Sequence, residues 1–257
     1  MKKMQDKTAI ITGAASGIGS AAAKLFAAEG CRLLLVDKDE AQLKTFAASF
    51  DADQVLYFVA DLRDSRQIAA YSRHALATFG YIDAALFNAG ICGANMPMEE
   101  YPEELFDEVL AVNLKAIWLG MRAVIPAMKT RRSGSIVLTS SIQGLSALAG
   151  TTAYTASKHA LVGMMKGAAL ELAPHNVRVN TIHPGYVATP MMANIHNMVM
   201  PDAPEQMQAA IAKSIPMQRY AIPEEIARLM LFLASDDASY STGSCFSADG
   251  GILAALP

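Results

Sequence analysis

At 257 residues, 53% of them hydrophobic and 18% charged, the chain is long enough for one large domain with a sizeable core. Its net charge is −3 and its basic residues cluster only in the short KTRR at 129–132, which excludes the concentrated cationic footprint that nucleic acid requires. The N-terminal MKKMQDKTAIITG lacks an apolar h-region, so no secretory signal is expected. No uninterrupted apolar run approaches the ~20 residues of a membrane span. Cys31, Cys92 and Cys245 are odd in number and lack CxxC spacing; reduced thiols in a cytoplasmic protein are expected, with no disulfide and no metal.

In chain order, Thr8 to Ile11 is a short apolar run ending at Gly13, followed by an amphipathic stretch from about Gly17 to Glu29. Arg32 to Val36 is a second strand, ending at Asp37, and Asp39 to Phe50 is helical. Val55 to Val59 is a third strand, Ser65 to Phe79 a helix, and Ile82 to Phe87 a strand that stops at Asn88-Ala89-Gly90. A long helical region from about Pro102 to Met128 precedes strand Ser135 to Thr139. After a helix around Tyr154 comes strand Val177 to Ile182, stopped by Pro184-Gly185. A helix at Pro223 to Ala234, with Pro223 and the acidic Glu224 and Glu225 in its first turn, precedes a last strand from Gly243 to Ala248. Strands alternating with helices predict an α/β fold: a parallel sheet of about seven strands covered on both faces. No internal repeat or linker divides it, so residues 1–257 read as a single domain.

The interruption is 186–222, too long for an ordinary connection and of a length usually found in lids and binding loops. It holds four prolines between Tyr186 and Tyr220, with Met191, Met192, Met198, Met200, Met207 and Met217. Its methionines suit either core gap-filling or a substrate surface.

Thr12-Gly13-Ala14-Ala15-Ser16-Gly17-Ile18-Gly19 sits where the first strand hands over to the first helix. Glycines there let the backbone approach a ligand, and the helix N-terminus offers unpaired N–H groups to an anion. The spacing is G-x3-G-x-G rather than G-x-G-x-x-G. Asp37 is placed to accept from ribose hydroxyls and to repel a 2′-phosphate, which favours NAD over NADP despite Lys38. Asp61-Leu62 and Asn88-Ala89-Gly90 lie at strand C-termini, where open α/β sheets bind ligands, although each alone also suits an ordinary turn.

Ser141 precedes Tyr154 by thirteen residues, and Lys158 follows Tyr154 by four. On a helix, Tyr154 and Lys158 share a face. An ammonium nearby would lower the phenol from its usual value near ~10 and make it a usable acid and base. Tyr-x3-Lys by itself also occurs as an incidental surface pair.

Taken together, TGAASGIG at 12–19, NAG at 88–90, Asn113, Ser141, YTASK at 154–158 and PGYVAT at 184–189 resemble the short-chain dehydrogenase/reductase family. The resemblance spans nearly the whole chain. It implies a Rossmann-type, doubly wound parallel sheet and a nicotinamide cofactor. It further implies that Tyr154 is the acid/base, that Lys158 lowers its pKa and holds the nicotinamide ribose, and that Ser141 polarises the substrate oxygen. Asn113 would hold a water in a proton relay through Lys158. Gly13, Ser16, Gly17, Ile18, Gly19, Asn88, Ala89 and Gly90 would line the cofactor, Asp61 and Leu62 would contact adenine, and Pro184, Gly185, Val187 and Thr189 would border the nicotinamide. Family members are commonly homotetramers.

The segments expected to wall the substrate pocket, 91–98, 142–153 and 185–200, contain no Lys or Arg, and His196 is their only basic ionisable side chain. A carboxylate or phosphate substrate would need a cationic partner, so a neutral, partly apolar secondary alcohol or ketone is expected. Asn95, Gln143 and Tyr186 are candidate substrate contacts. His183 reads either as a strand-end hydrogen-bonding residue or as part of the chemistry. Two alternatives stand beside this expectation. One is an NADPH-dependent 3-oxoacyl-carrier-protein-type reductase, to whose acidic carrier Arg131 and Arg132 would contribute. The other is a non-catalytic nucleotide-binding sensor on the same fold.

Overall fold

A computed structural model describes residues 2–255. Among these residues, the apolar runs become strands β1 Thr8–Thr12, β2 Arg32–Asp37, β3 Val55–Val59, β4 Ala84–Phe87, β5 Gly134–Thr139, β6 Val177–Pro184 and β7 Cys245–Ala248. They form one sheet in the order β3-β2-β1-β4-β5-β6-β7, every pairing parallel. Parallel neighbours need long crossovers, supplied by helices α1 Gly17–Ala28, α2 Glu40–Ala47, α3 Ser65–Phe79, α4 Glu103–Leu110, α5 Ala116–Arg131 and α6 Thr152–Leu172. Between β6 and β7 run α7 Pro190–Val199, α8 Pro204–Ser214 and α9 Pro223–Ala234, and a short α10, Ile252–Ala255, follows β7.

Consecutive strand residues point to opposite faces, and both faces are covered. Ile11, Leu33, Leu35 and Val137 pack against Phe26 of α1 and Met230 of α9. Their neighbours Ile10, Leu34, Val36 and Ile136 pack on the other side against Tyr71 of α3, Met121 of α5 and Leu161 of α6. Burial on both faces is why these strands read as continuous apolar runs rather than alternations. Each such side chain contributes about 1.5–3 kcal/mol of burial free energy. The outermost strand, β3, reads Val-Leu-Tyr-Phe-Val, and Tyr57 is 40% exposed.

The long helical region divides where one helix was expected. A π-helical turn, Ala111–Lys115, separates α4 from α5, with Asn113 buried inside it. The whole stretch Glu103–Arg131 is, by length and composition, long and apolar enough to cross a membrane, although charged residues interrupt it. Its apolar positions Ile117, Met121, Val124 and Met128 instead lie against the sheet. The 186–222 interruption is also more regular than expected. Pro190 and Pro204 occupy first turns, where a missing N–H costs nothing, so they start α7 and α8 instead of breaking them. Thr189 caps α7 by accepting the Met192 N–H at 3.4 Å.

The sheet changes direction between β1 and β4. Crossovers leave opposite faces on the two sides of that point, so the loops at the carboxyl ends part and leave a crevice.

Candidate active site

At the crevice, β1 hands over to α1 through a turn that only glycine fits at two points. Gly13 has φ +65° and Gly17 φ +54°, and a Cβ on Gly13 would lie 2.8 Å from Ala89 Cα. Ser16 caps α1 without a side-chain hydrogen bond, which leaves first-turn N–H groups for an anion. Gly19 is buried under the turn, against the Gly13 carbonyl.

The Asp37 carboxylate is fixed by backbone: Oδ2 accepts from Ala15 N–H at 3.0 Å, and Oδ1 from Lys38 N–H at 2.7 Å and Asp39 N–H at 3.2 Å. Asp61 is engaged by Arg63, whose guanidinium reaches Asp61 Oδ2 at 2.6 Å and Glu108 at 3.0 Å. The hydrogen bond from Arg63 is the main cause holding the Asp61 carboxyl below its ordinary range. Asn88 ties three strand ends together. Its Nδ2 donates to the Thr12 and Gly13 carbonyls at 3.3 Å each, and its Oδ1 accepts from Thr139 Oγ1 at 3.3 Å.

At the other end of the crevice, Ser141 stands two residues past the end of β5, and Tyr154 and Lys158 belong to α6. Lys158 is 3% exposed. Its Nζ donates to the Thr139 carbonyl at 2.8 Å and lies 5.4 Å from the Tyr154 ring centroid. Ser141 Oγ accepts the Gln143 N–H at 3.2 Å, and Ser141 stands near enough to Tyr154 to favour its ionised form. The expected electrostatics are corrected here. Burial pushes the Tyr154 phenol up to about 12, Ser141 opposes this, and Lys158 is not among the causes. Burial also pushes Lys158 down to about 8. The Asn113 side chain is fully used: Oδ1 accepts from Ile91 N–H at 2.8 Å, and Nδ2 donates to Ile91 O at 2.9 Å and Ser157 Oγ at 3.1 Å.

One cavity of about 430 Å³ joins the two ends. Every cofactor, catalytic and substrate residue named from the sequence lines it except Gly19 and Asn113, which lie behind its wall. His196 does not line it. It is 4% exposed and bonded through Nε2 to the Tyr220 hydroxyl at 3.0 Å, beneath the loop carrying Tyr186. Arg63, Glu108 and Ile211 are among the linings that the sequence reading missed. Arg63 and Glu108 close the Asp37 end, and Met207 and Ile211 of α8 extend the apolar wall made by α7. The signal for the last pair was helical spacing, i and i+4, inside a segment taken as a loop.

A parallel sheet that reverses order over a glycine turn, with a phenol near a serine at the far end of the same crevice, is the architecture of a Rossmann-type oxidoreductase. The chain belongs to the short-chain dehydrogenase/reductase family: the family model described as enoyl-(acyl carrier protein) reductase matches residues 13–253. The oxidoreductase UcpA of Salmonella typhimurium is 41% identical over 253 residues, which cover 98% of this chain and 96% of that protein. Levodione reductase of Leifsonia aquatica is 36% identical over 98% of this chain and 96% of its own length. A crystal structure of levodione reductase matches with a TM-score of 0.96 over 98% of this chain and 100% of that one. The structure of an NAD+-bound xylitol dehydrogenase, 32% identical, matches with a TM-score of 0.92 over 97% and 100% of the two chains. Membership makes the chain an oxidoreductase and implies a nicotinamide cofactor and a small-molecule substrate.

Proposed function

We propose that the chain is an NAD(H)-dependent alcohol dehydrogenase or carbonyl reductase acting on a neutral, partly apolar secondary alcohol or ketone, with Tyr154 as acid/base. The observation that carries this reading is the contact of Tyr154 with Ser141 and Lys158 in the same cavity as the glycine turn. The crevice suits a dinucleotide: a Cβ on Gly13 would lie 2.8 Å from Ala89 Cα, and glycine there keeps the turn close to the end of β4. Gly13, Ser16, Gly17, Ile18 and Gly19 would hold the pyrophosphate, Asp37 a ribose, Asp61 and Leu62 the adenine, and Pro184, Gly185, Val187 and Thr189 the nicotinamide. The nicotinamide, when bound, supplies the hydride acceptor or donor.

Burying a lone phenolate and a lone ammonium is costly for each, which is what the two pKa directions report. Formed together, the two charges stabilise one another in a poorly solvated site. Lys158 thus makes the phenolate accessible as half of an ion pair, and Tyr154 Oη takes the alcohol proton while Ser141 Oγ holds the same oxygen. Asn113, which the family resemblance makes the holder of a relay water, has its side chain committed to Ile91 and Ser157.

Asp37 favours NAD, and NAD+ is what the related xylitol dehydrogenase holds. Arg63, the guanidinium at that end, is occupied by Asp61 and Glu108 and leaves a 2′-phosphate without its usual partner. At the substrate end, Asn95, Gln143 and Tyr186 supply the polar contacts. The Gln143 amide is steadied by Thr151 Oγ1 at 2.7 Å and Thr155 Oγ1 at 2.9 Å. The carrier-protein reductase remains the second reading because the family model's description names a carrier substrate. Its basic residues are engaged elsewhere, however: Arg131 reaches Asp83 at 3.1 Å and Arg132 donates to Pro174 O at 2.8 Å. The sensor reading would expect Ser141, Tyr154 or Lys158 to be missing, and all three stand in the sequence. A cytoplasmic homotetramer belongs to the same proposal, with exposed Trp118 of α5 and Leu170 of α6 open to a second copy.

The test is absorbance at 340 nm with NAD or NADP and a panel of neutral and carboxylated alcohols. Turnover is expected with NAD and neutral alcohols only. Tyr154→Phe should keep NAD affinity and lose at least ~100-fold in kcat. Activity confined to NADPH with an acyl carrier would move the assignment to the second reading.

A further inference from the structure

His183 is fully buried in β6, two residues after Thr181, and the two-residue period of a strand puts both side chains on one face. Its Nδ1 lies 2.7 Å from the Ser141 carbonyl oxygen, and its Nε2 lies 2.8 Å from Thr181 Oγ1. A carbonyl can only accept, so Nδ1 carries the hydrogen. In the neutral ring Nε2 then accepts, and the Thr181 hydroxyl donates to it. The direction of the chain is fixed: Thr181 O–H to Nε2, then Nδ1–H to Ser141 O.

The Ser141 carbonyl also accepts the Gly144 N–H at 2.8 Å, so both of its lone pairs are filled. One donor comes from the turn that follows Ser141 and the other from the neighbouring strand. The residue is held by its main chain from two directions, and it lines the cavity together with Tyr154. His183 does not line the cavity, so it cannot act on the substrate directly.

We infer that His183 is a positioning residue, whose Nδ1–H pins the Ser141 main chain and thereby sets where Ser141 Oγ meets Tyr154 and the substrate oxygen. This rests on the function proposed above. The strand pairing of β5 and β6 aligns the backbone only as far as Thr139 with Ile182, and Ser140 N–H reaches Ile182 O at 2.9 Å. At Ser141 the ladder has ended, and the imidazole continues the connection. Small misplacements of a group at a reacting centre are costly, up to ~100-fold for about 1 Å.

The experiment is a double-mutant cycle with steady-state kinetics. His183→Leu should lower kcat about tenfold or more, leaving KM for NAD unchanged. His183→Asn restores a donor near the Nδ1 position and should recover most of that loss. In a Ser141→Ala background, neither His183→Leu nor Thr181→Val should change kcat by more than about twofold, because a residue acting only through Ser141 has nothing left to act on. If His183→Leu does not fold, Thr181→Val, which keeps shape and removes the donor to Nε2, decides the matter in the same cycle. Losses that multiply with Ser141→Ala, or a folded His183→Leu at wild-type kcat, would overturn the inference. A readout independent of turnover is the ring NMR of the resting protein, where an Nδ1–H neutral tautomer is expected and an Nε2–H tautomer would contradict the geometry. If Tyr154→Phe stays fully active, the function proposal fails first. If Tyr154→Phe is dead while His183→Leu is not, only this inference fails.

Discussion

Lys158 is a buried cation whose place in the fold is costly at neutral pH. Its ordinary value of 10.5 falls to about 8 on burial, so between pH 8 and 10.5 the unfolded chain binds more protons at this residue than the folded one. Stability linked to Lys158 therefore rises with pH across that window and is lowest below pH 8. The cost at neutral pH is up to about 3 kcal/mol. Lys158→Met should accordingly stabilise the fold most near pH 7, with the advantage shrinking toward pH 10. Urea melts of both proteins at several pH values would show it, and a difference that stays constant with pH would refute it. Helical spacing put Tyr154 and Lys158 on one face and the family resemblance added Ser141, but neither gave the direction of the Tyr154 and Lys158 pKa shifts. Spacing reports which neighbours are near, whereas burial depends on helices and loops from the rest of the chain. The same holds for Asn113, whose side chain is spent on Ile91, twenty-two residues away, a bond no local pattern announces.

At the scale of elements, strands and caps were readable and irregular helices were not. β1 to β7 stand within a few residues of their apolar runs because the central strands are buried on both faces and are apolar at most positions. The π-helical turn at 111–115 was hidden, since one extra residue in a turn leaves composition and apolar spacing almost unchanged. α7 and α8 lie in the segment that its length marked as a lid or binding loop, and Pro190 and Pro204 start them. α7 is held down by the buried His196–Tyr220 hydrogen bond of 3.0 Å. His196→Ala strands the Tyr220 hydroxyl and removes a packed ring, a loss of about 1–3 kcal/mol for the unpaired group alone. Faster amide hydrogen exchange confined to 190–199 is the expected result. Unchanged protection there would mean that α7 is anchored by its apolar face instead.

Across the whole molecule, the alternation of strands and helices made the layered architecture legible. The strand order came from the family resemblance, because periodicity says nothing about which strand lies beside which. The absence of Lys and Arg from 91–98, 142–153 and 185–200 was legible, but the cavity wall there also takes Met207 and Ile211, which arrive from α8. The sheet order also leaves β3 as a margin with no neighbour beyond it. Its five residues carry no charge of their own, and an unguarded strand of that kind is a template for intermolecular pairing and precipitation. Exposed Asp51 and Asp53 stand just before it as gatekeepers against that fate. Replacing both with asparagine should leave the folded protein intact yet bring light scattering to a lower temperature on heating, and an unmoved onset would show that α2 alone shields this border.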